Sequence, residues 1–87
     1  MENDRALKAA SLLELVASGQ MNPTSALNEW PDIDSEPDDL ISASWHDLSH
    51  YENDVDIRKR DSRFEAKMRE GLKNQAAKIR KKYNLLP

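Results

Sequence analysis

Apolar residues recur at intervals of three and four along most of the chain, the spacing that gathers side chains on one face of an α-helix. β-Branched and aromatic residues are few and never alternate at period two, which argues against an all-β fold. The two glycines, Gly19 and Gly71, cannot form the glycine-rich loop that binds phosphate in nucleotide-binding proteins. A chain of 87 residues with this pattern is predicted to fold as one small all-α domain.

The spacing predicts four helices, over about residues 4–18, 23–30, 36–53 and 56–83. Gly19 suits the end of the first helix, because glycine readily adopts the left-handed conformation. Asn22 and Pro23 suit the start of the second, and Pro31 must end it, because the residue before a proline is driven out of the helical region. Ser35 is the expected N-cap of the third helix.

The last predicted helix carries a continuous apolar stripe, formed by Ile57, Phe64, Met68, Leu72, Gln75, Ala76, Ile79 and Tyr83. The stripe favours one unbroken helix about 40 Å long, whereas the capping-box pattern at 62–65 leaves a break near Asp61 open. We expect the first and third helices to pack against the near half of this helix. Part of the apolar stripe would then be free for a partner.

The net charge of −3 conceals a strong segregation of charge along the chain. Residues 1–57 form an acidic body, with two basic and thirteen acidic side chains and a net charge of −11. Residues 58–87 form a basic helical segment, with eleven basic and three acidic side chains and a net charge of +8. Opposite charges of this size can pair within one chain or between chains.

The charge segregation and the long amphipathic helix together predict a non-enzymatic protein–protein interaction module, with another protein or a second copy as the partner. The predicted docking residues lie at the far end of the helix: Leu72, Ile79, Tyr83, Leu85 and Leu86. Nucleic-acid binding is the alternative, because clustered cations neutralise phosphates. Its candidate residues are Lys78, Arg80, Lys81 and Lys82.

Other chemistry has little support in the sequence. His46 and His50 are four residues apart and form a weak candidate for half of a metal site. The acidic residues from Asp32 to Asp38 resemble the start of a calcium loop, but Pro37 stands where that loop requires glycine. No arrangement of nucleophile and base is visible, so we expect no catalytic residues, no cofactor and no small-molecule substrate.

The first five residues carry acidic side chains where a signal peptide carries basic ones, and no apolar run follows them. Cysteine is absent, which excludes disulfides and suits a reducing compartment. The basic amphipathic helix could in principle lie on an anionic membrane, but its apolar face is modest and the rest of the chain is acidic. We therefore expect a cytoplasmic protein without membrane association.

Overall fold

The computed structural model describes residues 2–85, and the side chains of residues 4–85. This part of the chain contains five α-helices and no strand, which confirms the all-α prediction. The helices are α1 (Glu2–Ala17), α2 (Pro23–Glu29), α3 (Asp39–Asn53), α4 (Val55–Arg60) and α5 (Ser62–Lys82), and Ile33–Ser35 form one 3-10 turn. Leu86, one of the predicted docking residues, lies outside the described residues.

The end of α1 is closed by the predicted glycine. Gly19 has a φ of 80°, in the left-handed region. Its N–H donates to the carbonyl of Val16 at 3.0 Å, and the N–H of Gln20 donates to the carbonyl of Leu15 at 2.9 Å. These two bonds are the Schellman arrangement that satisfies the last carbonyls of a helix.

The short helix α2 also begins and ends where its sequence indicates. The side chain of Asn22 accepts a hydrogen bond from the N–H of Thr24 at 2.7 Å, and Pro23 occupies the first helical turn. Trp30 follows the helix with an extended backbone, φ −62° and ψ 141°, as Pro31 after it requires. The indole of Trp30 is buried in the core.

The third helix begins three residues later than predicted, and its N-cap is Asp38 rather than Ser35. A cap at Ser35 would require the next residue to be helical, but that residue precedes Pro37 and is held in an extended conformation. One carboxylate oxygen of Asp38 accepts hydrogen bonds from the N–H groups of Leu40 and Ile41, at 2.8 and 3.2 Å. The acidic side chain thereby satisfies two donors that the helix leaves open.

A long C-terminal helix is confirmed, but the helix does not continue through residues 56–83, because it is interrupted at Asp61. Asp61 is extended, with φ −134° and ψ 102°, and one of its carboxylate oxygens caps the N–H groups of Arg63 and Phe64 at 3.0 and 3.1 Å. The break takes Ile57 off the apolar stripe and leaves it 42% exposed on α4.

Replacing Asp61 with alanine is expected to lower the free energy of unfolding by about 1 kcal/mol, because the first turn of α5 loses its cap. Glu70→Ala is the matched control, since Glu70 is an exposed acid inside the same helix that caps nothing. Urea denaturation followed by circular dichroism compares the two variants. Equal stability of both would contradict the capping role of Asp61.

The helices α1 and α5 pack antiparallel and α3 packs against both, while α2 packs on α1 and α3. The antiparallel direction follows from two contacts: Glu14 pairs with Arg80, and the guanidinium of Arg69 lies beside Gly19 at the end of α1. The largest fully buried residues are Leu13, Val16, Ile41, Ser44, Leu48, Tyr51, Leu72 and Ile79. The core therefore includes the far half of α5, and not only the near half that the sequence suggested.

Candidate functional site

The predicted docking residues at the far end of α5 belong mostly to the core. Leu72 is 2% exposed and Ile79 is 0% exposed, because α1 lies along this part of α5 and covers the apolar stripe. Tyr83 and Leu85 are half-buried and pack against the same core. The expected free apolar end is thus covered within the chain.

The predicted nucleic-acid residues are divided between the interior and the surface. Arg80 forms two hydrogen bonds with Glu14, at 2.6 and 2.8 Å, and these bonds raise the pKa of its guanidinium. The ammonium of Lys82 lies 2.7 Å from the carboxylate of Asp38. Only Lys78 and Lys81 of the four remain exposed without an ion pair within the described part of the chain.

The outward side of α5 carries a row of cations, which we call the basic face. Its members share two properties, exposure and the lack of an ion pair among the described residues, and they are Arg63, Lys67, Lys78 and Lys81. From Arg63 to Lys81 the row spans about 27 Å of helix. Glu70 is the one acidic residue on this side of α5. The basic face therefore concentrates positive charge on one side of α5.

A cleft of about 400 Å³ lies between α3 and α5, beside the basic face. We call it the α3–α5 cleft; it is lined by Asp47, His50, Phe64, Lys67, Met68, Gly71 and Leu72. Phe64 and Met68 are half-buried, so the cleft offers apolar surface to an incoming group. Lys67 belongs to both the cleft and the basic face.

Polar contacts join three helices close to the break at Asp61. Glu65 accepts hydrogen bonds from the hydroxyl of Tyr51 at 2.6 Å, from Arg69 at 2.5 Å and from Arg58 at 3.2 Å. The guanidinium of Arg58 lies 3.9 Å from the centre of the Tyr51 ring and also donates to the Tyr51 carbonyl at 2.7 Å. The network joins α3, α4 and α5 next to Phe64, which fixes how α5 leaves the break at Asp61.

The charges of this network are stabilised by the contacts themselves. Burial raises the pKa of Glu65, but the hydrogen bonds from Tyr51, Arg69 and Arg58 outweigh burial and lower the pKa below its ordinary value. Burial, followed by the hydrogen bond to Glu65, raises the pKa of Tyr51. At neutral pH the carboxylate is therefore ionised and the phenol is protonated, which is the pairing that the hydrogen bonds require.

The two histidines lie on the surface of α3. The ring of His46 packs edge-on against Trp45, with 5.1 Å between the centroids, and His50 lies at the rim of the α3–α5 cleft. Among the side chains of residues 4–85, no group of three or more histidine or acidic residues is placed to hold a metal ion. None of the described helices has the length and apolar composition needed to cross a bilayer.

A second groove, of about 650 Å³, runs along the other flank of α5 beside α1. Its apolar lining consists of the small side chains of Ala17, Ala66 and Ala77. Two of its cations, Arg69 and Arg80, are already paired with acids of the same chain. Its third cation, Lys73, is unpaired among the described residues, as Lys67 is in the α3–α5 cleft. The α3–α5 cleft has the larger apolar side chains, which makes it the better candidate site.

Sequence reasoning assigned Phe64 and Met68 to the core and gave Gly71 no role. The signal that could have identified the cleft is Gly71 itself, because an interior helical glycine lowers stability and leaves a gap in the surface. Comparison of the chain with protein-family models, curated proteins and solved structures finds no match. The geometry of the cleft and of the basic face is therefore the basis for a functional proposal.

Proposed function

We propose that this protein is a non-catalytic binding module that docks an acidic segment of another protein in the α3–α5 cleft. The observation that carries the proposal is the junction of two surfaces at Lys67. On one side lies the half-exposed apolar floor of Phe64 and Met68, and on the other lies the basic face. Protein interfaces combine an apolar centre with a charged rim in this way.

Charge argues against a symmetric dimer in which two copies of this chain meet through the same surface. A symmetric pair would bring two basic faces together, each with four unpaired cations and one acid, Glu70. Like charges brought together in this way cost several kcal/mol. An acidic partner instead neutralises the basic face, and the attraction also accelerates encounter.

The apolar floor of the cleft favours a protein over nucleic acid, because Phe64 and Met68 can pack against apolar side chains of a peptide, whereas a phosphate backbone offers none. The carboxylate of Asp47 at the cleft accepts a hydrogen bond from the side-chain amide of Gln75 at 2.6 Å. Nucleic-acid binding through the exposed cations is the competing function, and the same experiment decides between them.

The charge-reversal variant Lys67→Glu is expected to weaken binding of an acidic peptide by about fivefold, because it turns an attraction at the rim into a repulsion. The probe is a fluorescein-labelled peptide of about 18 residues, with leucine every third or fourth position and glutamate at most others. Fluorescence anisotropy at low and at high salt measures its affinity for each protein. Lys8→Glu, at an exposed lysine of α1, changes the net charge equally and should stay within about twofold of the parent protein.

Two further probes test whether binding depends on the charge of the peptide and on the class of the ligand. A peptide with lysine in place of glutamate should not bind, and a short DNA duplex should bind more weakly than the acidic peptide. Tighter binding of the duplex, with an affinity that falls steeply with salt, would support the nucleic-acid function instead. No binding of the acidic peptide at low salt would refute the proposal.

A further inference from the structure

Gly71 lies near the middle of α5, where the fold has no need of a glycine. Its φ is not positive, since Gly19 is the positive-φ glycine of the chain. A Cβ built on Gly71 would meet no atom within 4 Å, so no close neighbour excludes a side chain. Glycine in a helix interior is less stabilising than alanine. The residue is therefore disfavoured by helix propensity and is not required by packing.

What Gly71 does provide is access to the α3–α5 cleft, which it lines together with Phe64 and Met68. A residue without a side chain allows another backbone to approach the helix closely. At 100° per residue, Lys67 and Lys78 lie within about 40° of Gly71 on the same flank of α5. Gly71 is thus a gap in the surface with an unpaired cation on either side along the helix.

From this placement we infer that the docked segment is an acidic amphipathic helix that crosses α5 at Gly71 and inserts apolar side chains between Phe64 and Met68. The inference rests on the proposed function and adds the conformation of the partner and its crossing point. Lys67 and Lys78 would then face acidic side chains on either side of the crossing.

Two observations favour a helix over an extended segment. The described residues contain no strand, so no open sheet edge is present among them to pair with an extended backbone. A helix satisfies its own backbone hydrogen bonds and can lie on an apolar floor through one face. The cleft volume of about 400 Å³ is also adequate, since a cavity of about 150 Å³ holds one benzene ring.

The variant Gly71→Gln tests the crossing point, because its side chain fills the open space without changing the charge. Helix propensity predicts a melting temperature higher by about 4 °C, together with an affinity for the acidic peptide weaker by about tenfold. Ala77→Gln is the matched control, because it puts the same side chain in the second groove. It should leave the affinity within about twofold of the parent value.

Circular dichroism, thermal melting and anisotropy with the peptide described above give the three readouts. A peptide with a central proline, which cannot form a continuous helix, should lose binding to the parent protein; this arm does not depend on any protein variant. The inference is overturned if Gly71→Gln binds the acidic peptide as tightly as the parent protein does, or if the proline peptide binds fully. In either case, weaker binding by Lys67→Glu would still support the proposed function. Absence of all acidic-peptide binding overturns both.

Discussion

Ile79→Ala is expected to lower the free energy of unfolding by about 3 kcal/mol, because Ile79 is fully buried and truncation leaves a cavity between α5 and α1. A domain of this size has a total stability of only about 4–13 kcal/mol. The variant should therefore lose a large fraction of its stability. A docking residue on a free surface would change stability by about 0.5 kcal/mol or less. Urea denaturation distinguishes the two roles of Ile79 directly.

Leu7→Ala provides the matched control, since Leu7 is an apolar residue of α1 that is 42% exposed. Its expected loss is about 0.5 kcal/mol, in the range of surface substitutions. A loss below about 1 kcal/mol for Ile79→Ala would place Ile79 outside the core and restore the far end of α5 as a docking surface. Truncation after Gly71 cannot make this distinction, because it removes core residues and any docking residues together.

The parts of the fold that could be predicted are those decided by neighbouring residues. Gly19 ends α1, and Asn22 and Pro23 begin α2, because each acts on backbone groups within a few positions. The all-α class follows from the spacing of apolar residues in the same local way. Such signals need no knowledge of which helices meet.

Helix starts in the acidic stretches were harder to predict, because several side chains compete as caps. Ser35 and Asp38 were both available before α3, and Pro37 decided in favour of the later one. Ser62 has the capping-box pattern, but Asp61 makes the bonds to the first turn of α5. The apolar stripe hid this break, since Ile57 fits its phase and yet is exposed.

The candidate site could not be predicted, because it depends on contacts between distant parts of the chain. The pair between Glu14 and Arg80 joins residues 66 positions apart, and it removes Arg80 from the set of unpaired cations. Charge segregation indicated that cations and acids would meet, but not which ones. The pairing of Arg80 appears only once α1 lies along α5, and that of Lys82 only once the start of α3 meets the end of α5.

Asp38→Ala is expected to cost about 3 kcal/mol of stability, because the carboxylate of Asp38 serves two helices at once. It caps α3, and its second oxygen accepts the hydroxyl of Tyr83 and faces the ammonium of Lys82, which fastens the end of α5 to the start of α3. The residue is only 9% exposed, so these contacts are poorly replaced by water. Urea denaturation measures the loss.

The variant Asp38→Asn retains a side chain that can cap α3 but removes the charge. The difference in stability between this variant and the parent protein is therefore expected to depend on pH. Burial raises the pKa of Asp38, but hydrogen bonds from Lys82, Tyr83 and the first turn of α3 outweigh burial and lower it from 3.8 to about 2. The unfolded chain therefore binds this proton first as pH falls. The stabilisation, about 2 kcal/mol, is present above pH 3.8 and is lost as pH falls to about 2.

The hydrogen bond to Asp38, followed by burial, raises the pKa of Tyr83 from 10.0 to about 12. The folded chain holds the phenol proton more tightly, so this stabilisation is present below pH 10 and is lost as pH rises to about 12. The pKa shifts of Asp38 and Tyr83 both reflect the hydrogen bond between them, so the two stabilisation energies are not additive.

Stability measurements across pH therefore have two expected results. The difference in free energy of unfolding between the parent protein and Asp38→Asn should fall to near zero at about pH 2. The corresponding difference between the parent protein and Tyr83→Phe should fall to near zero at about pH 12. Asp39→Asn, at an exposed neighbouring acid in the first turn of α3, should cost about 0.5 kcal/mol through the helix dipole alone. A difference for Asp38→Asn that persisted unchanged at pH 2 would mean that the ionised carboxylate is not what joins α3 to the end of α5.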